Sequence, residues 1–402
     1  MHRLYRRLVE LGDAVTVACV VTADETESIE TMRKEGMAVR AHVRPRSRLR
    51  ELLAAIIRRP SILRGLAFRS SKELISSVFW VDLAATVRDE LASGDHDVVV
   101  IESSFAAFWR GQIETDLPVV LVTHEVESIQ LMDKGARIGG IGGLGRYING
   151  ARVRRSEQRW TPRFDGVVVM SEEEQHQLEG IVGSATMPRS YVVGNGADLD
   201  VMDAVGPDPD DQTVLFTGTM AYPPNAVGAQ WLAREVWPLV LAESPDAQLA
   251  IVGASPSRAT RALDALPGVS VHADVPDMRP WFSGASVCTL PMLEGGGTRL
   301  KLIDAFAARR AVVSTTNGAT GIDCQAGHDL LIADTPEDFA RDIVRLLADA
   351  ELRARLARNG RALAERLYDW DSLGEKLHDA LEGAIAARTA TPIKVVVSDL
   401  HA

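Results

Sequence analysis

Residues 290–308 read LPMLEGGGTRLKLIDAFAA, and this stretch decides the fold. Three consecutive glycines, Gly295, Gly296 and Gly297, lead through Thr298 into a helical pattern whose first turns carry Arg299, Lys301 and Asp304. Backbone without side chains lets phosphate oxygens reach the amides, a helix N-terminus offers unpaired N–H groups with partial positive charge, and a cation neutralises what remains. The segment fits a nucleotide diphosphate. A glycine triplet alone is weak; its setting strengthens it, because 285–290 (ASVCTL) reads as a buried strand before the loop and 311–314 (AVVS) as another after the helix.

Working outward, strands alternate with helices along the whole chain. The first half offers strands at 14–21 (AVTVACVV), 38–43, 97–101 (DVVVI), 118–123 (PVVLVT), 166–170 and 191–193; the second offers 213–217 (TVLFT), 248–252, 269–272, 285–290, 311–314 and 329–332. This alternation predicts α/β architecture with parallel sheets and helical crossovers, in two Rossmann-like domains facing each other across a cleft. A 402-residue chain is too long for one ordinary core and suits two domains of about 150 to 200 residues. Residues 200–212, DVMDAVGPDPDDQ, are acidic and proline-bearing and read as the linker. The expected division is an acceptor-side domain over 1–200, a donor domain over 201–370, a helix at 371–390 crossing back, and a strand-like tail at 391–402.

Composition narrows the classes. The 46% apolar content is globular, no run approaches the ~18 apolar residues of a membrane span, and MHRLYRRLVELG lacks the apolar block of a signal peptide, so a cytoplasmic protein is expected. Three widely spaced cysteines argue against disulfides and a cysteine metal site. Residues 1–200 hold 26 Lys/Arg against 28 Asp/Glu, a balance of −2, so the remainder carries −9 of the net −11. Such a chain is a poor nucleic-acid binder. Residues 44–72 nevertheless hold nine basic residues and one acid, with Leu49, Leu52, Leu53, Ile56 and Ile57 at helical spacing. That pattern fits an ordinary amphipathic helix or peripheral contact with the inner face of an anionic membrane.

With these motifs in view, the second half resembles the donor domain of GT-B glycosyltransferases of the retaining family-four type, in the GGGTRLK variant subgroup of bacterial sugar transferases. FTGTMAYPPNAVGAQWL from Phe216, IVGASPS from Ile251, VPDMRPWFSGASVCTLPM from Val275, GGGTRLKLIDAFA from Gly295, VVSTTNGATGI from Val312 and LIADTPEDFARDIVRLL from Leu331 carry the likeness. The first half is more loosely similar to the family's acceptor domain, through THEVES from Thr123, an arginine-rich helix around Glu157, VVVMSEEE from Val167 and VVGNGADLD from Val192.

The resemblance implies a nucleotide-sugar donor held by Gly218, Gly295, Gly296, Gly297, Thr298 and Asp304, with Asp304 in the place of the glutamate that binds the ribose hydroxyls. The commoner pattern has a second glutamate eight residues earlier; here that position is Gly296, and Glu294 lies two residues too early. Relatives often carry a basic residue soon after the first donor-domain strand, but Gly218 is followed by Thr219 and Met220, which leaves Arg299 and Lys301 to stabilise the departing diphosphate. As bare residues, all three polar side chains also suit a solvated helix face.

His124 follows PVVLVT and so stands at a strand's carboxyl end. The resemblance puts it near the transferring sugar, while a structural histidine is the competing reading. Ser103, Ser104 and Glu125 are weaker acceptor-side candidates. No metal and no cofactor are expected, since the aspartate pairs at 95/97, 198/200 and 369/371 arise easily in an acidic chain. The chain opens on a helical pattern where relatives carry a strand and glycine-rich loop. The expected function is a hexosyltransferase-type retaining transfer to a glycan or lipid-linked acceptor in surface polysaccharide or glycoconjugate synthesis. A nucleotide-sugar epimerase or hydrolase, or a noncatalytic sugar-nucleotide-binding protein, are the alternatives.

Overall fold

The computed structural model describes residues 2–22, 26–44, 70, 73, 81–294 and 300–389. The glycine loop with Thr298 and Arg299, nearly all of the basic segment 44–72, and the tail 391–402 lie outside the described residues. The chain forms two compact units, Asn195–Leu373 and Met1–Gly194 with Gly374–Ala402.

The Asn195–Leu373 unit is a six-stranded, all-parallel sheet of β7 (Thr213–Thr217), β8 (Gln248–Gly253), β9 (Val269–Ala273), β10 (Val287–Leu290), β11 (Ala311–Ser314) and β12 (Leu331–Ile332), in the order β12-β11-β10-β7-β8-β9. Helices cover both faces, so the strands read as continuous apolar runs. Val214 and Phe216 of β7 point into one core cluster, Leu215 into the opposite one. Strand order reverses between β7 and β10, where open α/β sheets receive ligands beyond the strands' carboxyl ends. The helix Leu300–Ala307 buries Leu302, Ile303 and Phe306. Gly360 permits this: a Cβ there would lie 2.4 Å from Phe306 Cδ1.

The acidic segment 200–212 is not a free connector. It begins in the helix Leu199–Asp203 and is clamped to this unit by two buried guanidiniums. Arg353 Nε donates to Asp208 Oδ2 at 2.8 Å and its Nη2 donates to Asp210, while Arg310 Nη2 donates to the carbonyls of Gly206 (2.8 Å) and Pro207 (3.1 Å). Much of the acidity that reads as linker therefore neutralises a buried cation, since a buried charge without a partner is costly.

In the other unit the helix His2–Leu11 precedes β1 (Thr16–Thr22), which pairs in parallel with β2 (Ala38–Arg44). A second parallel sheet runs β3 (Val99–Glu102), β4 (Val119–Val122), β5 (Gly166–Val169) and β6 (Arg189–Val192). Among the described residues nothing pairs β1 with β3. Val15 O accepts from Ala38 N at 2.9 Å, and Val99 N donates to Pro118 O at 2.9 Å. Alternation turns the backbone groups of Thr16, Ala18 and Val20 on β1, and of Val98, Val100 and Glu102 at β3, away from those partners. Both edges line a cavity of about 590 Å³ whose walls include Val87, Trp109, Leu381 and Ile385.

Candidate functional site

Lys301 is carried in the first turn of the helix Leu300–Ala307 and reaches the carboxyl end of β7. Its Nζ donates to Asn225 Oδ1, lies 3.8 Å from Met292 Sδ and stands 5.8 Å from the centroid of the Phe216 ring. Asn225 is buried near the start of the helix Pro223–Trp231 and is fixed in turn, its Nδ2 donating to Thr219 O at 2.8 Å. Met292 is held by Thr315 Oγ1 and Asn317 Nδ2, which donate to its carbonyl at 2.7 and 3.1 Å.

Gly218 is bare because this crossing leaves no room. A Cβ on it would lie 2.8 Å from Asn225 Nδ2 and 3.1 Å from Lys301 Cε. A Cβ on Gly253 would lie 1.7 Å from Gly218 O, so two glycine backbones pack together where β7 and β8 end. The structure thus brings Lys301 and Gly218 together at the switch point. One turn further along the same helix, Asp304 is half-buried, and burial pushes its carboxyl up to about 7. Gly295, Gly296, Gly297, Thr298 and Arg299 lie outside the described residues.

On the other unit His124 follows β4. Its Nε2 bonds Glu102 Oε2 at 2.9 Å, and Glu102 Oε1 accepts from the Tyr5 hydroxyl. Burial first, then the neighbouring Glu102 carboxylate, raises the Tyr5 phenol well above its ordinary value. A proton on Nε2 satisfies the bond to Glu102 and leaves Nδ1 presenting a lone pair, the arrangement that lets an imidazole accept from a hydroxyl. Glu174 lies within electrostatic reach of His124 and Glu125; burial lifts its carboxyl to about 7 although Met170 N donates to it at 3.1 Å.

Ser103 follows β3 with φ 77° and ψ 136°, a backbone conformation outside the usual range for a non-glycine residue, and Ser104 opens the 3₁₀ turn Ser104–Gly111. Ser103 shares the carboxyl edge of the sheet with Glu102 and His124. Among the described residues no group of three or more His, Cys, Asp or Glu is placed to hold a metal.

Sequence reading passes over Asn225, Glu102 and Tyr5. Asn225 lies within the FTGTMAYPPNAVGAQWL motif, and nothing in that stretch marks it as the partner of a lysine 76 residues further on. Glu102 stands one residue beyond the expected strand end at Ile101. Tyr5 and Glu102 are 97 residues apart, a separation no local pattern spans.

A parallel sheet reversing at β7 and β10, with a lysine anchored over paired glycines at that point, belongs to an α/β fold of the GT-B type, in which that point is where open sheets receive ligands. Residues 1–201 match the family described as Glycosyltransferase Family 4, and residues 211–349 match Glycosyl transferases group 1. The chain belongs to glycosyltransferase family 4.

Among solved structures, sucrose-phosphate synthase from Thermosynechococcus elongatus is similar at TM-score 0.62 and 16% identity, covering 93% of this chain and 100% of that one. Anabaena HepE in complex with UDP and glucose is similar at TM-score 0.61 and 14% identity, covering 95% of each chain. These likenesses show the fold. An uncharacterised 44.6 kDa protein in the cps region of Klebsiella pneumoniae is 28% identical over 165 residues, which is 39% of this chain and 42% of that protein's length. Among the described residues no helix is long and apolar enough to cross a membrane.

Proposed function

We propose that the protein transfers a sugar from a nucleotide-sugar donor, with retention at the anomeric carbon and without a metal, to a glycan or lipid-linked acceptor in surface polysaccharide synthesis. The observation that carries this reading is the anchoring of Lys301 at the end of β7 by Asn225, above the bare backbone of Gly218. Breaking the glycosidic bond places growing negative charge on the diphosphate, and a cation fixed beforehand stabilises that charge without reorganising at the moment of reaction.

In this reading Lys301 and Arg299 bind the diphosphate, Gly218 and the amides of Gly295, Gly296 and Gly297 with Thr298 surround the phosphates, and Asp304 accepts from the ribose hydroxyls. His124, oriented by Glu102, meets a hydroxyl of the sugar or acceptor, with Ser103, Ser104 and Glu125 on the acceptor side. The cps-region relative supports a role in polysaccharide synthesis, and UDP and glucose in the HepE complex support a nucleotide-sugar donor.

The test is Lys301→Ala with a panel of sugar nucleotides. A charge-assisted hydrogen bond contributes about 1.5 to 3 kcal/mol, so transfer should fall roughly 10- to 150-fold. Transfer at the wild-type rate would overturn the assignment. Incubation with donor alone separates transfer from hydrolysis or epimerisation, and the coupling constant of the product's anomeric proton reports retention.

A further inference from the structure

The helices Glu127–Ile138 and Gly140–Trp160 form a hairpin that springs from the carboxyl end of β4, three residues after His124. Glycines bring the two backbones into contact. A Cβ on Gly143 would lie 2.4 Å from Gly135 O, and one on Gly150 2.6 Å from Met132 Cγ. The turn uses Gly139 and Gly140 in succession at φ 62° and 57°. Contacts this close make the hairpin a stiff arm rather than a loose loop.

Its tip is apolar and uncovered. Ile141 is 93% exposed and Leu144 59%, and Ile138, Tyr147 and Ile148 are also exposed. Soluble proteins rarely leave so many large apolar side chains together in water without a use for them. Charge identifies the use. Around the tip the sequence places Lys134, Arg137 and Arg146 against one acid, Asp133, in a chain whose net charge is −11, while Arg152, Arg154 and Arg155 stand further down the second helix, toward the base of the hairpin. Lys134 and Arg146 are exposed on either side of the apolar tip. A second copy of the hairpin would bring the same cations face to face, which works against self-association.

We propose that this tip inserts into the interface of an anionic lipid bilayer, with Ile138, Ile141, Leu144 and Tyr147 entering the acyl boundary while the neighbouring cations meet the headgroups. A 12-residue helix is about 18 Å long, so the bilayer lies roughly that far from the start of the arm beside His124. Resting on the transferase reading above, the inference deepens it: the acceptor is an amphiphile held in the same membrane and presented to the base of the arm.

Flotation with phosphatidylglycerol and phosphatidylcholine vesicles tests the docking without any enzymatic readout. The wild-type chain should float with the anionic vesicles and not with the zwitterionic ones. Ile141→Asp/Leu144→Asp, at exposed positions that leave the fold intact, should lower vesicle partition by at least about tenfold. Lys301→Ala should float like wild type, which keeps the membrane result separate from the donor site. The double variant should keep its rate on a water-soluble acceptor analogue and lose it on the same headgroup carried in vesicles.

Three results would overturn the proposal. The wild-type chain stays in the lower fractions, the double variant floats equally well, or sedimentation finds a dimer that the double variant dissociates. If flotation behaves as expected and no sugar is transferred to any acceptor, the docking stands and the transferase reading fails.

Discussion

The two units solve the same packing problem to different degrees. In Asn195–Leu373 the sheet is continuous from β12 to β9 and both faces are sealed by buried clusters. In the other unit the described strands form a pair and a group of four; among the described residues nothing pairs β1 with β3, and both line an apolar cavity of about 590 Å³. Backbone N–H and C=O groups need partners wherever water is excluded, so an open edge in an apolar cavity lowers local stability. The difference teaches that the unit carrying Lys301 closes its sheet within the described residues, while in the unit carrying His124 the described residues leave the edges of β1 and β3 facing a cavity. Amide hydrogen exchange tests this with the largest expected effect. Amides of Ala18, Val20, Val98 and Val100 should exchange on the order of a thousandfold faster than those of Leu215 and Ile251, which open only with the whole unit. Equal protection would break the comparison and mean that residues outside the described set complete the sheet.

Raised carboxyls sharpen the contrast at the sites. Asp304 on the sealed unit and Glu174 on the open one are both lifted to about 7 by burial. A raised carboxyl favours the folded state at low pH, and that stability is lost as pH rises from the unfolded value, about 4, through about 7. Ribose hydroxyls donate best to ionised Asp304, so nucleotide binding should draw its proton off below about pH 7 and strengthen as pH climbs. Calorimetry with the nucleoside diphosphate should therefore show affinity rising from about pH 5.5 to about pH 8. Asp304→Asn should flatten that rise and weaken binding about tenfold at the upper end, the loss of one charge-assisted bond. A pH slope unchanged in Asp304→Asn would remove Asp304 from the ribose site, and a slope lost in Glu174→Gln would move the titration to the other unit.

Much of this fold is legible in the sequence, for a physical reason. Strands buried on both faces must be apolar throughout, so TVLFT, DVVVI and PVVLVT announce themselves, and helix periodicity fills the gaps between them. Lys301 and Gly218 are legible as motif positions. Their contact is not, because it depends on Asn225 folding back onto Thr219. The pairing of Glu102 with His124 and Tyr5 joins three separate elements, and nothing in any one of them signals the others. Residues 200–212 misled for a related reason: acidic, proline-bearing chain reads as solvent-exposed until Arg353 and Arg310, far away in sequence, are seen to hold it. The hairpin tip hides in composition, since GIGGLGRYING carries glycines that argue against a helix, and only the close approach to Gly135 shows why they are there.

The smallest expected effect lies in single-residue strain. The sealed unit and the segment leading into it have four non-glycine residues at positive φ, Asp210, Ser255, Asp274 and Arg309, all between 51° and 55°, close to the left-handed well that such residues occasionally adopt. On the open unit Ser103 combines φ 77° with ψ 136°, outside that well, and is held there by its N–H donating to Val122 O at 2.8 Å. Such a conformation costs about 1 to 3 kcal/mol, while glycine adopts it freely but loses about 0.5 to 1 kcal/mol more chain entropy on folding. Ser103→Gly should therefore stabilise the protein by roughly 0.5 kcal/mol, read as a rise of about 1 to 2 °C in Tm. Ser103→Ala keeps the strain and removes only the hydroxyl, so the pair separates the two roles. If transfer falls in both variants the Ser103 hydroxyl meets the acceptor; if it falls in Ser103→Gly alone, the backbone strain itself positions Glu102 and His124. A drop in Tm for Ser103→Gly would show that the conformation is not strained, and the contrast between the two units would lose its most local support.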